Sequence, residues 1–386
     1  MIFLKVLHLA DLHIGKCILE HSLIDDQIHI LDQILEIVIN KKIDVVLIAG
    51  DVYDKTIPSI EAVRLFSNFL TKLYNLKIKV FVISGNHDSK DRLSFGNELF
   101  YNNDIYIEGI YDGNVRKVLL KDEFGEFNIY MLPFVKPVDV RKYYLEENID
   151  SYNEAVKCII NNLDIDKKSR NIIMVHQFVT AIGIEIERSD SEFISLGGID
   201  NVDVSLFSQF DYVAMGHVHR GQRLTKDTIR YAGSPLKYSF SEVNHKKSVP
   251  IIEFKEKENV SVELVDLIPL RDMITIKGNL EDLIDKNFYK NINVDSYINA
   301  VITNQDYIMD AIGKLRKVYK NVLRLEYDNI RVNGNIEDTD IKKENVISEF
   351  DMFNEFYKIQ NNIDLDKNKI DIINDIINDI KEGGDL

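Results

Sequence analysis

The stretch Val45–Asp54, VVLIAGDVYD, decides how the rest of the chain is read. Val45 to Ala49 is an unbroken apolar run, which suits a strand covered on both faces in a parallel or mixed α/β sheet. Gly50 stops the run and Asp51 follows where the strand should end. Ligands of open α/β sheets sit in the crevice beyond the carboxyl ends of the strands, so a carboxylate at this point is placed for chemistry. Gly-Asp alone fits a turn or a helix N-cap about as well. Four other apolar runs that also end in His, Asp or Asn make the difference.

Phe3–Ala10 (FLKVLHLA) predicts a strand, with Asp11 and His13 following it before Gly15. Alternation along an extended segment puts these two side chains on one side, a half-site for a divalent metal. Lys79–Ser84 leads into Gly85-Asn86-His87-Asp88, Asn171–Val175 into His176, and Phe210–Met215 into Gly216-His217-Val218-His219. Five of the nine histidines therefore stand just past apolar strands, a placement that random scatter rarely produces. His8, inside its strand, reads as a core histidine or a support for a ligand; His21 and His29 read as surface residues. Two Asp, one Asn and five His without a thiolate suit N/O ligation of Mn²⁺, Fe²⁺ or Zn²⁺.

Between these runs the periodicity is helical. Ile24, Ile28, Leu31, Leu35 and Val38 mark a helix over about Asp25–Asn40, so the first ~50 residues form a βαβ unit. Ala62, Val63, Phe66, Phe69 and Leu73 mark another after Pro58-Ser59, and Arg141–Leu163 predicts a third. Ile105–Met131 reads as short strands turning at Gly113 and Gly125, and strands at Ile251–Phe254 and Val260–Leu267 close the domain.

Composition narrows the class. A chain of 386 residues suggests two or three domains with a large core. No apolar run approaches the roughly 20 residues that span a bilayer, and the start lacks a signal-peptide layout. Cys17 and Cys158 are too few for a disulfide framework or a Cys-based zinc site, so the expected compartment is the cytoplasm, without membrane. The net charge of −16 argues against a bare basic face for nucleic acid. Bound cations, a local Lys/Arg stripe or a partner protein can supply the missing field.

Asp11-x-His13, Gly50-Asp51-x-x-Asp54, Gly85-Asn86-His87-Asp88, His176 and Gly216-His217-x-His219 together resemble, in order, the five motifs of the calcineurin-like metallophosphoesterases. More narrowly, Leu7–Lys16, Phe210–Gln222 and Tyr231–Glu242 are similar to the SbcD-type nuclease subunits, and Arg271 through Leu325 resembles their capping domain. The resemblance implies a four-layer α/β/β/α sandwich with a small α+β cap and a C-terminal helical tail, divided as residues 1–270, 271–340 and 341–386. It implies two divalent ions, Mn²⁺ foremost, one on Asp11, His13, Asp51 and His219 and the other on Asp51, Asn86, His176 and His217. Asp51 would bridge, His87 would face the scissile phosphate, and Asp54 would support or cap instead of reacting.

The implied activity is 3′→5′ exonuclease on duplex DNA ends and endonuclease on single strands or hairpins, acting with an SbcC-type coiled-coil ATPase as a homodimer within a heterotetramer. Met273–Ile276 and Tyr297–Thr303 read as strands of the cap and Tyr307–Tyr319 as its helix. In the tail, Val346, Phe350, Phe353 and Tyr357 form one helical stripe and Ile370, Ile373, Ile377 and Ile380 another, expected to dock that ATPase. Two other readings are a small-molecule phosphodiesterase, which leaves cap and tail unexplained, and a non-catalytic scaffold, against which the complete ligand set speaks.

Overall fold

In the computed structural model two six-stranded sheets pack face to face, each covered by helices on its outer side. The structure describes residues 4–192, 200–304 and 308–328, with scattered positions between 350 and 377. One sheet runs in the order Val260–Asp266, Ser248–Phe254, Lys5–Leu9, Val45–Ala49, Lys79–Ile83, Ile105–Glu108. The other runs Gln222–Arg223, Ile229–Tyr231, Tyr212–Met215, Arg170–Val175, Gly125–Leu132, Arg116–Asp122. Lys5–Leu9, Val45–Ala49, Lys79–Ile83 and Ile105–Glu108 are mutually parallel, and so are Gly125–Leu132, Arg170–Val175, Tyr212–Met215 and Ile229–Tyr231. Their carboxyl ends therefore open on one edge of each sheet.

The unbroken apolar runs follow from this layering. Along Val45–Ala49 the odd residues Val45, Leu47 and Ala49 face the second sheet, with Phe81, Ile129, Ile172 and Ala214 in the same central cluster. Val46 and Ile48 point outward, beneath helices Ile24–Lys41 and Ile60–Asn75. With a period of two and both faces dry, every residue must be apolar. Each fully buried Val, Leu or Ile contributes about 1.5–3 kcal/mol relative to exposure.

Four helix expectations change. Arg141–Leu163 is not one helix: Pro137–Arg141 is followed by irregular chain, and Ser151 starts the helix Tyr152–Asn161. Ser151 Oγ accepts from Glu154 N (3.2 Å) while Glu154 Oε2 accepts from Ser151 N (2.9 Å), a reciprocal cap that fixes the boundary. Ile28 and Val63 are exposed, and the buried stripe of the first helix runs through Ile30, Leu31, Ile34 and Leu35. The helix expected at Tyr307–Tyr319 spans Ala311–Arg316, and Tyr307 lies outside the described residues.

Met273–Gly278, Tyr297–Ile302 and Asn321–Tyr327 form a three-stranded sheet. The chain divides into two compact units, Met1–Val301 with Asp310–Glu326, and Ile302–Met309 with Tyr327–Leu386. In the latter, Phe350, Phe353, Tyr357, Ile370, Ile373 and Ile377 are helical; Val346 and Ile380 lie outside the described residues. No helix among the described residues is long and apolar enough to cross a membrane.

At the sheet ends away from the polar clusters, Arg170 opens its strand as one of the most deeply buried large side chains. Its guanidinium pairs in a fork with the buried Asp122 carboxylate and donates to Gly125 O (3.0 Å) and Lys255 O (3.1 Å). Asp122 also accepts from Leu4 N (3.2 Å), so the pair bolts one sheet to the other. Burial alone would raise the Asp122 pKa, but Arg170 holds it below the usual carboxylate range. Arg170→Met strands that buried charge and should lower unfolding stability by about 3–5 kcal/mol, read from urea denaturation. A loss below about 1 kcal/mol would contradict the bolt.

Candidate metal centre

Each expected site residue stands on a loop just past a strand end. The loops are zipped together: Asp11 N donates to Gly50 O (3.1 Å), His13 N to Asp51 O (2.9 Å) and Ile14 N to Val52 O (2.9 Å). Asp11 (φ 52°), His13 (φ 42°), Asp51 (φ 49°) and His217 (φ 97°) all adopt the left-handed region. Such conformations cost on the order of 1–3 kcal/mol each and cluster at functional sites. This corrects the expectation that Asp11 and His13 converge by alternation along extended chain; left-handed turns aim them. Gly50 (φ 87°) has a second reason to be glycine, since a Cβ there would lie 2.3 Å from His176 Nδ1.

The side chains converge. His13 Nε2 lies 3.1 Å from His219 Nε2 and 3.6 Å from Asp51 Oδ2. Asp51 Oδ2 is also 3.3 Å from His176 Nε2, which is 4.0 Å from Asp11 Oδ1. Asn86 Oδ1 sits 3.1 Å from His176 Nε2 and 2.9 Å from His217 Nδ1. Donor atoms of Asp11, His13 and His219 lie within 4.8 Å of one another, and so do those of Asp11, Asp51 and His176. His13, Asp54 and His87 make a third such group.

His87 stands at the edge of the cluster, half-buried, its ring 4.8 Å from that of His13. Its backbone N donates to Asp51 Oδ1 (2.9 Å). Nδ1–H donates to the Asp54 carbonyl (3.0 Å), because a carbonyl can only accept. Asp54 itself pairs with Lys16 Nζ at 2.8 Å and lies 3.7 Å from His13 Nδ1. His8 is buried with Nδ1 3.0 Å from the Tyr212 hydroxyl, and burial lowers its pKa to about 3.

The donor set fits divalent cations. Asp11 Oδ2 is buried with no hydrogen-bond partner among the described residues, although unpaired buried polar atoms are costly. Burial pushes the Asp11 carboxyl up to about 7 against the pull of His176 and His219. Burial would raise Asp51 too, but His176, His13 and His87 hold it well below the usual carboxylate range. For His176 burial is outweighed by Asp51 and Asp11, which lift its pKa to about 9. Burial lowers His13 well below its ordinary value and His217 to about 3, which keeps both neutral and fit to ligate.

Several supporting groups carried no local sequence signal. His176 Nδ1–H donates to Ala49 O (2.7 Å), which turns Nε2 into the site. His219 Nδ1–H donates to Ser191 Oγ (2.8 Å), whose hydroxyl donates to Glu242 Oε1 (2.8 Å). The other Glu242 oxygen takes Lys247 Nζ (2.6 Å), which also donates to His219 O (2.8 Å). Burial would raise Glu242, but Lys247 and His219 hold it well below the usual carboxylate range. Asp88 joins two loops by accepting from Gly85 N (2.9 Å), Tyr53 N (2.9 Å) and Val52 N (3.1 Å), while burial and Asp51 push it up to about 6. Glu242→Gln should weaken Mn²⁺ binding by about 10–100-fold in a titration of the metal-free protein. Unchanged affinity would remove Glu242 from the account of the site.

A family model described as calcineurin-like phosphoesterase matches residues 4–221, where all these groups lie except Glu242 and Lys247. The chain belongs to the calcineurin-like phosphoesterases. This phosphoesterase also matches, over residues 269–361, a model described as type 5 capsule protein repressor C-terminal domain. It is 33% identical over 345 residues to the SbcD component of the SbcCD nuclease of Staphylococcus epidermidis, covering 88% of this chain and 90% of that protein. Among solved structures it is similar to a dimetal phosphatase from Danio rerio, at 12% identity and a TM-score of 0.42 over 69% of this chain and 97% of that one. It is also similar to GAP50 of Plasmodium, at 11% identity and a TM-score of 0.40 over 83% and 96% of the two chains.

Proposed function

We propose that this phosphoesterase is a DNA nuclease that works with two divalent ions, Mn²⁺ foremost. One ion would be held by Asp11, His13, Asp51 and His219, the other by Asp51, Asn86, His176 and His217. The observation that carries this reading is Asp51 Oδ2, which lies within 3.6 Å of His13 on one side and 3.3 Å of His176 on the other. Such ions activate water and neutralise charge on a phosphodiester in its transition state. The chain's residues do the rest. His87 holds one proton at Nδ1 against Asp54 O and passes another from Nε2 to the departing 3′-oxygen. Lys16 neutralises Asp54, which would otherwise repel the phosphate. The products would end in 5′-phosphate.

The likeness to a component of the SbcCD nuclease supports DNA as substrate and an SbcC-type ATPase as partner. Within this reading residues 1–270 are catalytic, 271–340 cap the DNA and 341–386 dock the ATPase. Its setting is the cytoplasm, as a homodimer within a heterotetramer, with 3′→5′ exonuclease activity on duplex ends and endonuclease activity on single strands or hairpins. The test is to give the full chain Mn²⁺ with linear duplex, hairpin and single-stranded DNA, and separately with bis-p-nitrophenyl phosphate. Chelator-sensitive cutting of DNA to 5′-phosphate ends is expected. Hydrolysis of the small diester without any cutting of DNA would favour a small-molecule phosphodiesterase instead.

A further inference from the structure

Two pairs of neighbouring residues join the loop carrying Asp11 and His13 to residues 271–297. Asp26 and Gln27 lie side by side, buried, in the first turn of helix Ile24–Lys41. Gln27 Nε2 donates to His13 O (2.7 Å) and Leu12 O (3.3 Å), while its Oε1 accepts from Gly15 N (2.9 Å). Asp26 takes its partners from elsewhere: Arg271 Nε at 3.1 Å, Arg271 Nη2 at 3.0 Å and the Tyr297 hydroxyl at 2.6 Å.

Lys237 and Tyr238 repeat the pattern. The Tyr238 hydroxyl donates to Leu12 O, and its ring packs edge-on against His13 (5.5 Å) and His219 (5.7 Å). Lys237 Nζ donates to the Asp272 carboxylate (2.8 Å) and more weakly to Met273 O (3.4 Å), besides Val243 O (2.7 Å). In each pair one residue grips the segment that begins at Arg271 and the next grips the ligand loop.

We propose that Gln27 and Tyr238 are positioning residues for the ligands Asp11 and His13, and that Arg271, Asp272 and Tyr297 set them through Asp26 and Lys237. The proposal rests on the metal reading above. Its physical basis is the left-handed backbone at Asp11 and His13, which persists only where the surroundings over-determine it. Gln27 and Tyr238 supply four hydrogen bonds of that restraint. A ligand set works only when held to within about 0.5 Å, so a slackened grip reaches the metals.

The test compares the full chain with Arg271→Ala/Asp272→Ala and, separately, Tyr297→Phe, which keeps the ring and carries the test if the double variant does not fold. In metal-free protein, amides of residues 11–16 should exchange about tenfold faster in the double variant, with a smaller change in the same direction for Tyr297→Phe. Exchange in Arg170–Val175 should stay as in the parent, which separates a loosened loop from general destabilisation. Mn²⁺ affinity should fall about tenfold. Unchanged exchange at 11–16 would overturn the anchoring. Faster exchange with unchanged Mn²⁺ affinity would overturn the link to the ligands. A parent chain that takes up no Mn²⁺ would overturn the metal reading and that link with it, while exchange alone still decides the anchoring.

Discussion

Asp51→Asn is expected to yield a folded protein that holds at most one divalent ion per chain and turns over about 10³-fold more slowly than the parent. Asp51 Oδ2 stands between His13 and His176, and Oδ1 is occupied by the backbone N of His87. The amide keeps the shape and removes the anion that two cations would share. Bound metals stabilise a phosphoryl-transfer transition state by several kcal/mol, and each 1.36 kcal/mol is a factor of ten in rate. Elemental analysis after desalting and initial rates on single-stranded DNA measure both effects. Parental rates with two ions would remove Asp51 from the bridging position.

His87→Ala separates chemistry from metal binding. The ring belongs to neither the Asp11–His13–His219 group nor the Asp11–Asp51–His176 group: it shares a group only with His13 and Asp54, its Nδ1 donates to Asp54 O, and it packs edge-on to the His13 ring at 4.8 Å. Its backbone bond to Asp51 survives the substitution. Metal content should therefore match the parent while turnover falls by about 10²–10⁴-fold, the range of a lost general acid. Loss of metal in this variant would make His87 a ligand instead of a proton donor.

The layered fold was legible because its central strands are dry on both faces. Val45–Ala49, Ile172–Val175 and Tyr212–Met215 are continuous apolar runs, and the polar residues beyond them mark the edge where the sheets open. Boundaries set by local chemistry were harder to place. The Ser151–Glu154 cap was written in the sequence as S-x-x-E, yet apolar spacing on either side of it masked the break. Helix Ile24–Lys41 carries isoleucines on several faces, so choosing Ile30 over Ile28 for the stripe needed the packing itself.

Around the candidate site the sequence showed residue types at strand ends and nothing of what holds them. The left-handed turns at Asp11 and His13 come from pairing with a loop some forty residues away. Glu242 and Ser191 reach His219 from segments separated by about fifty residues, so no spacing rule links them. Asp26 and Gln27 look like surface residues in a helix's first turn, and only the fold reveals them as buried. Polar groups that satisfy one another across distant segments leave no periodic trace.

In the two-ion reading one chain holds two divalent ions side by side among seven ligands. Titration of metal-free protein with Mn²⁺, followed by electron paramagnetic resonance, tests it most directly. Two ions per chain at saturation and an exchange-coupled spectrum from the pair are expected. A single uncoupled ion, or none, would contradict it.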